Sequence, residues 1–388
     1  MSSETDDHLV HEAVGPPLHP RQAAACIAMG VSALLSLGVL PILLGSLADE
    51  HRLTAARIGV AAMIELLAMG VATGLMGLVR RPARLRPIGV VVSLALALAD
   101  LAALRTSGDW LLISRGAAGA AEGILLWFTV SMIARTVTPE RWAGVFFTAQ
   151  VLAQLVLAVA FAVWIVPAGG ANGGFMALAA VAALGVLPAL VTPSGFAPLS
   201  SNADQSGLPP PRGLLALFAT VMFLSANGAV SVYLQPLAHQ AHLGAGVART
   251  AVWTSLIAQV CGAMTATALA GRVRYFTIFV ITSTIFLATW AGFGANLPAA
   301  LFVLDNVVAG FGALLLSPFL VPFTIDADPS RRAAVQSGAA QLMGGALGPW
   351  LASFVVGDAD VRGVLWLGAG LLLAGLSLIA TLRFTARR

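Results

Sequence analysis

Leu111-Leu112-Ile113-Ser114-Arg115-Gly116-Ala117-Ala118-Gly119-Ala120-Ala121-Glu122-Gly123-Ile124-Leu125-Leu126 sets one arginine and one glutamate in a run otherwise apolar or small. An arginine cannot shed its proton to escape a low dielectric, and placing one near a bilayer centre costs about 3 kcal/mol or more. A chain keeps such a residue where it faces a partner or a water-filled path. Glu122 follows seven residues later, on the same helical face two turns away, with Gly119 between them. Function is therefore expected first on this face.

The composition says what surrounds that helix. The chain has 388 residues, 59% hydrophobic and 10% charged, with a mean hydropathy of +0.91. Soluble domains carry about 25% charge, so a polytopic, all-α membrane protein is expected. The sequence pI near 10 does not point to nucleic acid, because the basic residues are scattered over short loops. All 21 cationic residues are arginine. Without lysine the chain has no P-loop lysine for an ATP-driven pump and no Schiff-base cofactor; no cofactor and no enzymatic activity are expected. Cys26 and Cys261 both fall in apolar runs and read as small buried residues rather than a disulfide. The polar, acidic start lacks the pattern of a cleavable signal peptide.

Apolar segments long enough to cross about 30 Å of hydrocarbon recur at 23–46, 58–79, 87–105, 110–134, 142–167, 174–193, 213–235, 249–271, 275–294, 298–323, 333–356 and 361–382. Arginines 21, 80, 81, 84, 86, 135, 141, 212, 272, 274, 331, 332, 383, 387 and 388 fall on one side of this topology, and 52, 57, 105, 249 and 362 on the other. That bias puts both ends in the cytoplasm of a multi-pass protein of the inner (plasma) membrane. The longest polar interruption, 194–212, carries Asn202, Asp204, Gln205, Ser206 and Pro209-Pro210-Pro211 and reads as a cytoplasmic linker. The organisation is then a 1–20 tail, a 21–193 half, the 194–212 linker and a 213–388 half.

The halves echo each other at a shift of about 190 residues. Leu44, Leu47, Ala48 and Leu53 match Leu234, Leu237, Ala238 and Leu243; Ala149-Gln150 matches Ala340-Gln341. Thr138-Pro139-Glu140-Arg141 matches Asp328-Pro329-Ser330-Arg331, each read as an N-cap followed by a first-turn proline. Even numbers of spans per half give parallel repeats.

Two six-span halves joined by a cytoplasmic linker resemble the major facilitator superfamily over residues 21–385. Arg115-x-x-x-Gly119 resembles the superfamily's fourth-helix arginine motif, often linked to proton coupling in drug–proton antiporters. Gly77-Leu78-Val79-Arg80-Arg81-Pro82-Ala83-Arg84-Leu85-Arg86 resembles its basic loop, with Arg81 where the family has aspartate. The antiporter's glycine-rich fifth-span signature is absent from 142–167, and a similar Gly344-Gly345-Ala346-Leu347-Gly348-Pro349 stands in span eleven. The resemblance implies twelve transmembrane helices in two pseudo-symmetric halves, with spans one, four, seven and ten lining a central cavity that Arg115, Glu122 and Asp305 would face.

Five ionisable residues lie inside spans: Glu65, Asp100, Arg115, Glu122 and Asp305. Asp305 is 190 residues from Arg115, its mirror position. Arg115 acts on substrate or protons, or is an ion pair with Asp100 or Glu65 that fixes spans two, three and four. Glu122 has no second cation on its helix, which suits a proton carrier; a hydrogen-bonded structural carboxyl is the plainer reading. Gln150, Gln154, Asn227, Tyr233, Gln235, Asn306 and Gln341 are candidate cavity residues, each equally able to make an interhelical hydrogen bond. His8, His11 and His19 in the tail are not expected to form a metal site. The expectation is a monomeric secondary transporter of a small organic solute, coupled to protons and working in efflux. The alternatives are an uptake symporter for a carboxylate, with Arg115 as anchor, and a non-transporting membrane sensor.

Overall fold

A computed structural model describes residues 18–53, 55–79, 82–197, 208–357 and 360–385. The tail histidines His8 and His11, linker residues 198–207, and Arg80, Arg81, Arg387 and Arg388 lie outside the described residues.

The first helices are α1 (Pro20–Asp49), α2 (Ala55–Gly77), α3 (Leu85–Ala103) and α4 (Gly108–Ile133). A single helical run then extends over Pro139–Val191, 53 residues long and about twice the length of a crossing. It begins as α5 (Pro139–Ala160), passes a π-helical turn at Phe161–Ile165, and continues as α6 (Val166–Leu184) and α7 (Val186–Val191). Inside α6, Gly170 sits at φ 58°, ψ −154°, a conformation that only glycine adopts without strain. This break separates spans five and six, which the sequence placed apart at 167 and 174.

The later helices are α8 (Pro211–Val232), α9 (Leu234–Gln240), α10 (Ala245–Leu269), α11 (Tyr275–Gly294), α12 (Ala299–Leu316), α13 (Leu320–Ala327), α14 (Arg332–Ala352) and α15 (Gly363–Thr385). Prolines account for two interruptions. Pro236 offers no N–H to the carbonyl of Val232, where α8 stops, and Pro318 opens the 3₁₀ turn Ser317–Phe319 between α12 and α13. Ten helical stretches are long and apolar enough to cross a membrane among the described residues. Counting the broken Pro139–Val191 as two and adding α14, whose composition is more polar, gives the twelve passes of a multi-pass membrane protein.

α14 does not start where the repeat suggested. Its N-cap position is Arg331, in the left-handed region at φ 62°, three residues beyond Asp328. Asp328 nonetheless caps the helix from a distance. It is 1% exposed, and its Oδ2 accepts the N–H of Ala333 at 2.8 Å while Oδ1 accepts from Ser330 N and Oγ.

Packing divides the described chain into two compact units, residues up to Val137 with 149–208, and 138–148 with 209–388. In the first, Trp127, Phe128, Phe161 and Phe175 are fully buried. The basic loop is strapped down there: Leu85 N donates to Ser194 O, Phe196 N to Pro82 O, and Arg86 Nε to Thr192 O at 2.8 Å. In the second unit Phe223 meets Phe279 edge-on at 5.4 Å and Phe286 stacks on Trp290 at 5.6 Å. Both cysteines are free thiols, Cys26 buried and Cys261 exposed.

Candidate functional site

The Arg115 stretch forms one long helix, α4, because alanine, leucine and glycine place no β-branched run in it; at 26 residues it is about 39 Å long. Its small face decides what it packs against. A Cβ on Gly119 would run into the carbonyl of Glu65, and one on Gly123 into that of Met69. Glycine at these positions lets α2 lie directly on α4, and Thr73 Oγ1 stitches the two by donating to Gly123 O at 2.9 Å. This close approach carries the Glu65 side chain to Arg115.

Arg115 is 1% exposed and donates from all three guanidinium nitrogens. Nε donates to Glu65 Oε2 at 2.9 Å and Nη2 to Glu65 Oε1 at 2.6 Å, a bidentate pair, while Nη1 donates to Asp100 Oδ1 of α3 at 2.7 Å. The Phe175 ring of α6 lies 5.7 Å from its Cζ. Glu65 is fully buried and Asp100 3% exposed. The arginine thus points at α2 and α3 within its own unit and holds two carboxylates at once, where the sequence had offered one or the other.

Glu122, 2% exposed, lies about 10 Å further along α4. Its Oε2 has no hydrogen-bond partner, and Ser36 of α1 faces it. Three buried carboxylates therefore share one buried guanidinium among α2, α3 and α4. Taking ions out of water costs several kcal/mol each unless they are paired, so a proton bound here removes an uncompensated charge.

Asp305 is placed differently. It is half-buried on α12, its Oδ2 is buried without a partner, and it packs against the backbone of α11 at Gly292, where a Cβ would collide with it. No arginine pairs with it among the described residues. Its neighbour Asn306 turns to α10, donating Nδ2 to Ala251 O at 2.6 Å.

Asn306 also borders a cavity of about 80 Å³ inside the second unit, walled by Asn227, Ser255, Gln259, Trp290 and Phe293. These side chains come from α8, α10, α11 and α12 and carry no formal charge. Of the other candidates, Gln154 donates to Leu34 O at 2.5 Å, an interhelical tie between α5 and α1, and Gln150 Oε1 is buried without a partner. Gln341 is half-buried on α14. Tyr233 ends α8 and packs on the second unit's core. Gln235 lies in α9, and its side chain lies outside the described residues. The structure thus brings Glu65, Asp100, Arg115 and Glu122 together in one unit and Asn227 and Asn306 together in the other. Sequence reasoning missed Ser255, Trp290 and Phe293 as cavity walls, and Ser36 opposite Glu122. The available signal for Ser36 was Ser32-x-x-x-Ser36, a one-turn serine repeat in an apolar span.

No metal-binding group of three or more His, Cys, Asp or Glu occurs among the described residues. The sequence matches no family model and no curated protein. Solved structures do match the fold. The crystal structure of the human organic anion transporter MFSD10 (TETRAN) aligns at TM-score 0.72 with 15% identity, over 94% of this chain and 100% of that one. FucP, described as a major facilitator superfamily transporter in the outward conformation, aligns at 0.73 with 13% identity, over 93% of this chain and 98% of that one. A second structure of FucP, there named as the E. coli fucose:proton symporter, aligns at 0.71 with 13% identity and the same coverage. Together with the twelve passes, these alignments show that the chain has the major facilitator fold.

Proposed function

We propose that the chain is a secondary transporter, moving a small organic solute across the bilayer by alternating access with proton coupling, and that it works in efflux. The observation that carries this reading is the excess of buried carboxylates over guanidinium in the first unit. A bare scaffold gains nothing from Glu65, Asp100 and Glu122 around one Arg115, whereas a proton-driven cycle needs a buried carboxyl that is stable both with and without its proton. Glu122 is the carrier in this reading, since Arg115 is engaged by the other two. Arg115 acts as a positioning residue that keeps Glu65 and Asp100 in place. A role as anchor for an anionic solute would require it to release one of them. The cavity beside Asn306 supports a solute without formal charge, with hydrogen-bonding groups on one side and an apolar face against Trp290 and Phe293. The protein is read as a monomer in the inner membrane with both ends cytoplasmic.

Proton-coupled uptake is the second reading, favoured by the same uncharged cavity and by the fold shared with a fucose:proton symporter. The test is reconstitution into liposomes under an imposed pH gradient. Wild-type protein accumulates solute against its gradient. Glu122→Gln loses accumulation while keeping solute counterflow. If Glu122→Gln still accumulates solute, the carrier assignment is wrong. Inward- against outward-facing vesicles separate efflux from uptake, and inertness toward a broad solute panel favours the sensor.

A further inference from the structure

The second unit carries a groove on its surface that the proposed transport cycle does not use. It lies between α11 and α15 and has a volume of about 600 Å³, inside the range of about 300–1,000 Å³ typical of small-molecule sites. Its walls follow from helical spacing. Leu365, Trp366 and Ala369 stand three, four and seven residues after Arg362, so one face at the start of α15 carries them together. Trp290, Ala291 and Gly294 form the facing wall, where the end of α11 meets the start of α15; a Cβ on Gly294 would lie 3.4 Å from Leu365 Cδ1. The short side chains of Ala291 and Ala369 and the bare Gly294 leave the space open. Trp290, 3% exposed and stacked on Phe286, backs it. Along its length the groove is apolar, and at one end it is cationic: Arg362 is the one charged residue in its walls among the described residues.

We propose that this groove seats an anionic phospholipid, with its phosphate on Arg362 and one acyl chain laid along α11 and α15. From Arg362 to Ala369 the groove runs about 10 Å down the helix, a path for the upper part of that chain. A guanidinium is a fork of N–H donors that fits paired phosphate oxygens, and basic sites between membrane helices select anionic headgroups. The fork is held at the groove's end, since Nη2 donates to Asn296 Oδ1 at 2.7 Å. Asp360 turns its Oδ1 to Gln240 Nε2 at 2.7 Å and to the backbone N–H of Arg362 at 2.9 Å, not to the guanidinium. Trp366 is 83% exposed only four residues beyond Arg362, the level at which tryptophans mark the boundary between headgroups and hydrocarbon. A zwitterionic lipid would supply the same chain but bring its own cation towards Arg362. A wholly apolar occupant would leave the guanidinium against hydrocarbon, which is costly.

Quenching by brominated lipid tests the site. The full chain is reconstituted in phosphatidylcholine bilayers with increasing brominated phosphatidylglycerol or brominated phosphatidylcholine, and the signal is the tryptophan fluorescence that Trp366→Phe removes. Phosphatidylglycerol is expected to quench it at about fivefold lower mole fraction, the scale of one arginine beside anionic lipid. Arg362→Gln is expected to abolish that preference, and Arg362→Lys to keep part of it, because lysine retains the charge without the fork. Ala369→Phe fills the groove with every charge in place and is expected to lose the preference as well. Arg57→Gln removes a partly exposed arginine of the first unit and is expected to leave the preference intact. Equal quenching by the two lipids in wild type overturns the inference, as does a preference that survives Arg362→Gln or Ala369→Phe. A preference lost in Arg57→Gln also overturns it, since general surface charge then accounts for the selection.

Discussion

Removing Arg115 separates its structural contribution from its functional one. Arg115→Met keeps most of the side-chain volume and deletes three charge-assisted hydrogen bonds, two to Glu65 and one to Asp100. Both carboxylates stay where they are, 0% and 3% exposed. Removing one partner of a buried ion pair costs about 3–5 kcal/mol, because the remaining charge is left without compensation. At about 2–4 °C per kcal/mol for a cooperative unit of this size, the melting temperature of the detergent-solubilised protein should fall by on the order of 10 °C. The compensated variant reverses the sign of the argument. Arg115→Met combined with Glu65→Leu and Asp100→Val removes the two carboxylates that bond the arginine together with it, leaving Glu122 to be held with its proton, and such replacements are neutral or stabilising in other buried networks. It should recover to within about 2 kcal/mol of wild type while remaining inactive in transport. Thermal unfolding followed by tryptophan fluorescence reads both. A single variant that melts within about 2 °C of wild type, or a triple variant no more stable than the single, refutes the claim that uncompensated charge is what makes this cluster costly.

Three further outcomes follow from the geometry. Gly119→Ala sets a methyl against the carbonyl of Glu65 and should cost about 1–3 kcal/mol, displacing α2 from α4, with melting temperature and transport falling together. Asp328→Ala strips the distant cap of α14 and should cost about 1–2 kcal/mol in thermal unfolding. By contrast Asp109→Asn breaks the pair with Arg57, whose side chains are 76% and 43% exposed, and should leave the melting temperature unchanged.

Much of this arrangement could be read from the residue order, for identifiable reasons. Span count came from uninterrupted apolar length, and the five intramembrane ionisable residues stand out in a chain with so few charges. Gly119 and Gly123, four residues apart on one helix, have the spacing that lets a neighbouring helix approach closely. The pairing of Arg115 was only half legible. Helical periodicity fixes that Glu122 shares its face, but Glu65 and Asp100 belong to other helices, and only packing sets their rotation about their own axes. The Gly170 break falls in the gap read between spans five and six, at 167 and 174, although one helical run continues across both passes. Span eleven was read from 333, one residue from the start of α14, but its cap was misassigned because a proline after Asp328 imitates the first turn of a helix, whereas Arg331 takes the left-handed conformation and delays it.

The repeat itself misled at one point, and the reason bears on mechanism. Matching the halves by sequence put Asp305 opposite Arg115 as its counterpart, yet the two side chains sit in different chemical settings. Arg115 meets two carboxylates across the contact that Gly119 opens, and Asp305 meets the bare backbone of α11 at Gly292. A repeat of spans keeps helix positions alike because each half must satisfy the same bilayer and the same packing rules. It does not preserve charge, because a buried ionisable group is costly and persists only where a partner or a task offsets it. Within its spans the first unit holds four buried ionisable groups, Glu65, Asp100, Arg115 and Glu122, whereas the spans of the second hold the half-buried Asp305 and an uncharged cavity beside Asn306. On the proposed function this is a division of labour, with proton handling assigned to the first unit and solute recognition to the second. It predicts that Asn306→Ala raises KM for the solute and leaves the pH dependence of transport unchanged, while Glu122→Gln abolishes that pH dependence and leaves counterflow KM intact. If Asn306→Ala shifts the pH profile, or Glu122→Gln weakens counterflow binding, proton and solute share one site and the division fails.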